Sequence, residues 1–509
     1  MSDAPNASQF IEPLPAEPCL ERQHKLAKQL LRAVWAKEPA ATERFHALHP
    51  KPPAADEAKL ADAQLVIARG YGFPAWAEMK RKIESLTQTP VERFVAAVKA
   101  TDIAAVRELL QQHADVRAAV NEPLFSFGGR AIHQVGHHTG LFDLLVEFGA
   151  DPNATSDWKP GGFTLLDSLD PGMVDAYLRR GVKMTIHAAT RHNRLDDMKR
   201  LLEADPSLAT LRGGDGQHPL HVARSVEAID LLIAHGADVH ARDIDHTATP
   251  AQYLADRPEL CRRLLEHGAE PDLFMAAALG DVELARWCIA QDPACVTHRL
   301  GVAPWVNDEG GHIYNWVLGH ATTPLTVASD LGHTAVHRVI LAACPPKQKL
   351  LDAAWRGDLD TGRALLARHP DLLDQMTEDD HAALNRACWW YRPQTVTTML
   401  ALGFDRHIQD HERMTPLDRA AFHAACLAQL LDGDPAPPLE WQHQYGGTPL
   451  QTCIHGAMHG WPTGFEQDHA RCTELLIKAG SAAQMAWLPT GDDAVDAVLL
   501  KKLRDSRNP

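Results

Sequence analysis

The stretch LLIAHGADVH, residues Leu231 to His240, decides the fold. An apolar run at helical spacing ends on His-Gly, and Gly-Ala-Asp then leads the chain away. Gly236 stands where a helix must stop through a left-handed residue, the conformation that glycine adopts most easily. The same phrase recurs at LLVEFGADPN with Gly149, YLRRGVKM with Gly181, LLEHGAEPD with Gly268, MLALGFD with Gly403 and LLIKAGSAA with Gly480. Other copies stop on an acid or histidine before proline: LLEADPSL at Asp205, CIAQDPAC at Asp292 and LLARHPDL at His369. Proline soon after a helix forbids its continuation.

Recurrence at a fixed period means a stacked array. Many of the steps between stops are near 32 residues, as from Gly149 to Gly181 and from Gly236 to Gly268. A second phrase opens five of the units: HPLHVA (His218 to Ala223), TPLTVA (Thr323 to Ala328), TPLDRA (Thr415 to Ala420) and TPLQTC (Thr448 to Cys453), with a looser TPAQYLA from Thr249. Threonine caps the first helix and proline suits its first turn. Together these motifs resemble the ankyrin-repeat family, over roughly residues 91 to 484. The resemblance implies an all-α solenoid of about 12 units. Each unit has two short amphipathic helices that bury their apolar stripes only by stacking.

Departures from the period carry information. Steps of 24 or 25 precede Asp205, Asp292 and His369, so those junctions are expected to lack a projecting β-finger. Two steps are long instead, which places inserted loops near 296–321 and 456–469. Long loops in a compact array are functional or disordered, and these are rich in Trp, Tyr, His and Gly. Residues 1–17 read as a disordered tail. Residues 18–88 read as an N-terminal helical cap. Its periodic stretches run from Leu20 to Leu48 and from Ala54 to Arg69, and the turn and third helix of YGFPAWAEMKRKIESL follow, with Phe73 and Trp76 as anchors. Whether this cap packs on the first repeat is open at this stage. Residues 485–509 read as a C-terminal capping helix and tail. The YGFP-x-W stretch ahead of the repeats is similar to a bacterial ankyrin-repeat subgroup, which implies architecture and no activity.

The composition sets limits on partners. The 509 residues carry a formal charge of −16, which leans against nucleic acid or an anionic membrane as the main partner. No signal-like segment and no long apolar run is expected to engage a membrane. Nine scattered cysteines without a CxxC pair read as reduced thiols of a cytoplasmic protein.

No catalytic or cofactor motif appears, and none of GxSxG, a P-loop, HExxH or a dinucleotide fingerprint is present. No cofactor is expected. The pairs His133 and His137, His333 and His337, and His455 and His459 have zinc-compatible spacing, but no third ligand is evident, so no metal site is expected. Chemistry-bearing residues gather instead in the finger loops and first-helix starts, the elements that line the concave face in ankyrin stacks. They fall in FSFGGRAIHQVGHH (Phe125 to His138), SDWKPGGF (Ser156 to Phe163), RGGDGQHPLH (Arg212 to His221), RDIDHTATPAQY (Arg242 to Tyr253), NDEGGHIYNWVLGHATTP (Asn307 to Pro324) and WQHQYGGTPLQTCIHGAMHGW (Trp441 to Trp461).

Two function classes follow. The first is a scaffold that grips a protein or peptide partner with Trp158, Gln217, Tyr253, Tyr314, Trp316, His320, Tyr445, His455 and Trp461. The second is a small-molecule site or hydrolase, with Asp215 and Asp245 as acid and base, His221 and His246 orienting them, and the tryptophans holding a sugar ring. Each residue also has a structural reading. His221 would bond finger backbone, the aspartates would cap turns, and the tryptophans would pin oversized loops. Convergence into one pocket favours a ligand site, whereas dispersal along the groove favours the scaffold.

Overall fold

A computed structural model describes residues 7–15, 18–55, 58–306, 311–319, 323–432, 438–461, 467–484, 487–488 and 490–505. Among them no β-strand is present, and one isolated bridge joins Phe125 to Gly129. Among the described residues from Pro90 to Ala479, twelve pairs of helices follow one another, with short helical turns such as Ala114–Ala118 and Tyr314–Val317 between some of them, and the single helix Asp493–Asp505 comes after. The chain is therefore an α-solenoid.

The local rules operate as the sequence implies. All six glycine stops sit at positive φ, from 89° at Gly268 to 123° at Gly480. Thr249, Thr323, Thr415 and Thr448 each accept a backbone N–H of the first turn they precede. First helices pack on first helices of the next unit, and second on second, so two parallel rows enclose the core. Small residues permit the close approach: Ala276, Ala277, Ala353 and Ala354 are fully or almost fully buried.

The three short junctions lack a finger. Helix Val174–Leu178 is followed by Ile186–Arg191, helix Pro258–Glu266 by Leu273–Leu279, and helix Thr334–Ala343 by Pro346–Trp355. Elsewhere the fingers are tight loops closed by a backbone bond, such as Gly213 N–H to Gln217 C=O at 2.9 Å and Asp243 N–H to Ala248 C=O at 3.1 Å. Two of the three junctions mark seams in the apolar core. One cluster spans Phe94 to Ala188, a second Ile186 to Cys344, and a third takes in the repeats from Leu350 onward.

The cap departs from expectation in detail. The stretch Leu20 to Leu48 is two helices, Leu20–Trp35 and Pro39–Leu48, because Lys37 adopts φ 56° and Pro39 opens a new first turn. Trp76 anchors as expected, edge-on to His24 with centroids 4.9 Å apart. Part of the anticipated N-terminal tail is folded: Ala7–Phe10 form a 3-10 turn, and Glu12 N–H bonds the Gly70 carbonyl at 2.8 Å. The cap's core, from Ala27 to Ile83, belongs to the cluster that holds residues 350–500, and no residue of the first repeats joins it. The insertion near 456–469 also begins later than expected. Gly456 stays inside helix Pro449–His459, against Phe422 and the Trp461 carbonyl, and the helix ends at Gly460 with φ 62°.

Candidate functional site

Fingers touch their neighbours through backbone. Asp157 N–H donates to Gly128 C=O at 2.9 Å, Asp215 N–H to Gly161 C=O at 3.2 Å, and both Ile244 N–H and Asp245 N–H to Asp215 C=O at 3.1 Å. The Gly161 contact crosses a unit with no finger of its own. Glycine makes the crossing possible: a Cβ on Gly213 would strike the His187 ring, and one on Gly214 the Phe163 ring.

Side chains lock the same crossing. Trp158 Nε1–H donates to Asp215 Oδ1 at 2.9 Å, and Gln217 Nε2 to Asp215 Oδ2 at 3.4 Å. Gln217 also donates to Tyr253 Oη at 3.3 Å, and Tyr253 O–H to Asp243 Oδ2 at 2.8 Å. The other Asp243 oxygen takes Ala248 N–H at 2.7 Å. Phe127 sits edge-on to Trp158 with centroids 5.1 Å apart. Burial raises the Asp215 carboxyl above its ordinary range, against the pull of the Trp158 bond. Asp215 takes this role at φ 57°, in the left-handed region that aspartate tolerates better than most residues.

The acid–base candidates Asp215 and Asp245 lie on adjacent fingers joined through backbone. Both Asp215 oxygens are engaged within the loop network, and it is Asp243, a residue sequence reasoning passed over, that meets Tyr253. His221 orients neither aspartate. Its Nδ1 accepts His218 N–H at 3.1 Å and its Nε2–H donates to the Ala248 carbonyl at 3.1 Å. Burial lowers its pKa to about 4, so the ring is neutral. His246 does approach Asp245, with Nε2 3.4 Å from Oδ2, while its Nδ1–H donates to Gly311 C=O at 2.8 Å.

The aromatic candidates divide. Tyr314 is a core residue, 0% exposed, with its hydroxyl donating to Asp272 Oδ2 at 2.7 Å. It packs with Phe274 and Trp305 to hold the insertion down, and so offers no binding surface. Trp316 is 70% exposed, tilted against His246 with centroids 6.4 Å apart. His320 lies outside the described residues.

The remaining candidates converge farther along the chain. Tyr445, His455 and Trp461 line a cavity of about 880 Å3 with Trp389, Met458 and Arg419. A second cavity of about 570 Å3 shares Trp389, Glu412 and Arg419 with it. Helix Ala383–Trp389 supplies one wall, helix Pro416–Arg419 the next and helix Pro449–His459 the third. Trp461 packs on Trp389 at 5.0 Å and on Phe422 at 5.1 Å. Arg419 lies over the Trp389 ring, 5.4 Å from its centroid, and pairs with Asp410 at 2.6 Å. Tyr445 is 67% exposed and donates its hydroxyl to Glu412 Oε1 at 2.7 Å. Trp389 is half of a Trp-Trp doublet in a helix row where alanine is the rule, a clue the sequence offered.

The histidine pairs engage other groups. His133 Nε2–H bonds the Ala154 carbonyl at 2.9 Å, His333 Nε2–H the Ala278 carbonyl at 3.1 Å, and His337 Nε2 lies 2.7 Å from Asp352 Oδ1. His455 and His459 pack with their rings tilted, centroids 4.3 Å apart. Among the described residues no three His, Cys, Asp or Glu side chains group to hold a metal. No helix of the described residues is long and apolar enough to cross a membrane.

A family model, the ankyrin repeat, matches residues 215–244. That segment runs from one finger tip to the next, and its two ends are hydrogen-bonded to each other. Its neighbours are irregular: fingers are missing after Gly181 and Gly268. A search of curated proteins finds no match.

Proposed function

We propose that this chain, whose residues 215–244 match the ankyrin repeat, is a cytoplasmic scaffold that holds an extended segment of a protein partner on its concave face. One observation carries the reading. Tyr445 and Trp461 line one cavity, which shares Trp389, Glu412 and Arg419 with a second, so the two run across successive units as a trough. A trough several units long suits an extended chain, whereas a metabolite pocket closes around its ligand. Tyr445 and Trp461 are the anchors, since large aromatics supply most contact energy at interfaces. Trp316 adds an exposed ring farther along the row. The cytoplasmic placement rests on the thiols: all nine cysteines are free, and eight are buried.

The hydrolase alternative gains no support from Asp215, whose oxygens are held by Trp158 and Gln217. The scaffold reading is tested by panning a random displayed peptide library on the full chain and measuring the affinity of the selected peptides. Tyr445→Ala and Trp461→Ala should each weaken binding at least about tenfold, since hot-spot truncations cost roughly 2 kcal/mol or more. Selected peptides that bind both variants as tightly as the native chain would overturn the assignment of the trough.

A further inference from the structure

The third finger-less unit leaves a hollow in the row of first helices. No finger precedes helix Pro346–Trp355, so loops on either side meet across its start. Arg299 Nη1 lies 3.1 Å from Asp380 Oδ1, and Lys347 Nζ lies 2.9 Å from Asp380 Oδ2. Between these elements and helix Pro324–Asp330 lies a cavity of about 70 Å3, lined by Thr326, Gln348, Asp352, Asp380, Arg299 and Arg386 among others.

Charges around the hollow are unevenly matched. Asp380 has its two cations. Asp352 is held by His337 Nε2 at 2.7 Å and Arg356 Nε at 3.1 Å. Arg386 makes no ion pair and no side-chain hydrogen bond among the described residues. Its guanidinium lines the cavity wall, where burial first, and then the charge of Arg299, pull its pKa down to about 9. Gln348 Oε1 is a buried atom in the wall with no partner, and a turn of its amide would present N–H groups instead. A guanidinium with no ion partner facing a small cavity presents a planar fork of donors that fits two oxygens of a carboxylate or phosphate. One such group fits the space, since a water occupies about 30 Å3.

We propose that this cavity is a binding site for a single oxoanion, a carboxylate or a phosphate, held by Arg386 with Arg299 beside it. The site stands independently of the peptide-binding trough, and it can be filled by a free ion or by an acidic group of a larger ligand.

The test follows the thermal midpoint of the full chain as sodium phosphate or sodium acetate replaces sodium chloride at constant ionic strength. The midpoint should rise and saturate, and the ion that saturates at lower concentration names the preferred group. Arg386→Gln should abolish the rise without lowering the midpoint in chloride alone, because it removes an uncompensated charge. Arg386→Lys keeps the charge and loses the fork, so saturation should need at least about tenfold more ion. A native chain that responds to neither ion, or an Arg386→Gln chain that responds like the native one, would overturn the site. So would a drop of the Arg386→Gln midpoint in chloride, which would show that the guanidinium is already satisfied by the fold.

Discussion

The loops between Ser156 and Tyr253 and the trough between Trp389 and Trp461 use the same residue types to opposite ends. In the first, Trp158, Asp215, Gln217, Tyr253 and Asp243 form a continuous chain of hydrogen bonds that carries the finger row over a unit with no finger. In the second, Trp389, Tyr445 and Trp461 surround open space. The difference lies in what the backbone leaves undone. A missing finger must be bridged, and the polar and aromatic side chains nearby are absorbed in bridging it. Where fingers are present, as at Asp410–Met414 and His443–Gly447, the side chains remain available.

Two tyrosines sharpen this contrast most. Tyr314→Ala should cost about 3–5 kcal/mol, the range for emptying a large buried aromatic site, with its Asp272 bond lost as well. Tyr445→Ala should leave the stability to chemical denaturation unchanged. Equal losses would erase the distinction between absorbed and available rings.

A smaller effect of opposite sign is expected in the C-terminal block. Asp418 is fully buried, caps its helix through one oxygen to Thr415, and leaves Oδ1 unpartnered. Burial raises its pKa to about 6. A carboxyl raised in the folded state binds its proton more tightly there, so it adds stability below about pH 4 that is lost as pH rises to about 6. Asp418→Asn should therefore be more stable than the native chain at pH 7 by about 1–2 kcal/mol, with the gain vanishing near pH 4. Denaturant melts at the two pH values check this.

His221 and His312 set the reverse dependence in the middle block. Burial lowers both to about 4, so they support the fold above pH 6.5, and that support is lost as pH falls toward 4. Hydrogen exchange of helix Val226–Ala234 should quicken between pH 7 and 5 by more than global stability predicts, and His221→Gln should blunt the change.

Much of the fold was legible because it rests on local chemistry. Glycine stops, threonine caps and three shortened steps located the units, as each reports a backbone conformation fixed within a few residues. The site was less legible. Sequence placed Asp215 and Asp245 on adjacent fingers, and the backbone bond from Asp245 to Asp215 agrees. It could not show that Trp158, fifty-seven residues earlier, reaches Asp215, because that contact depends on a finger spanning a gap. Tyr314 looked like a binding residue since its loop is long. Only packing distinguishes an aromatic that pins a loop from one that faces outward.

The cap has a consequence for how the chain is made. Its helices leave the ribosome before the repeats, yet the apolar cluster they share is completed by residues from Leu350 to Leu500. At about 5–20 residues per second, elongation separates the two by on the order of tens of seconds. Throughout that interval the growing solenoid lengthens between them, and a segment made before every repeat is among the last to find its full surroundings.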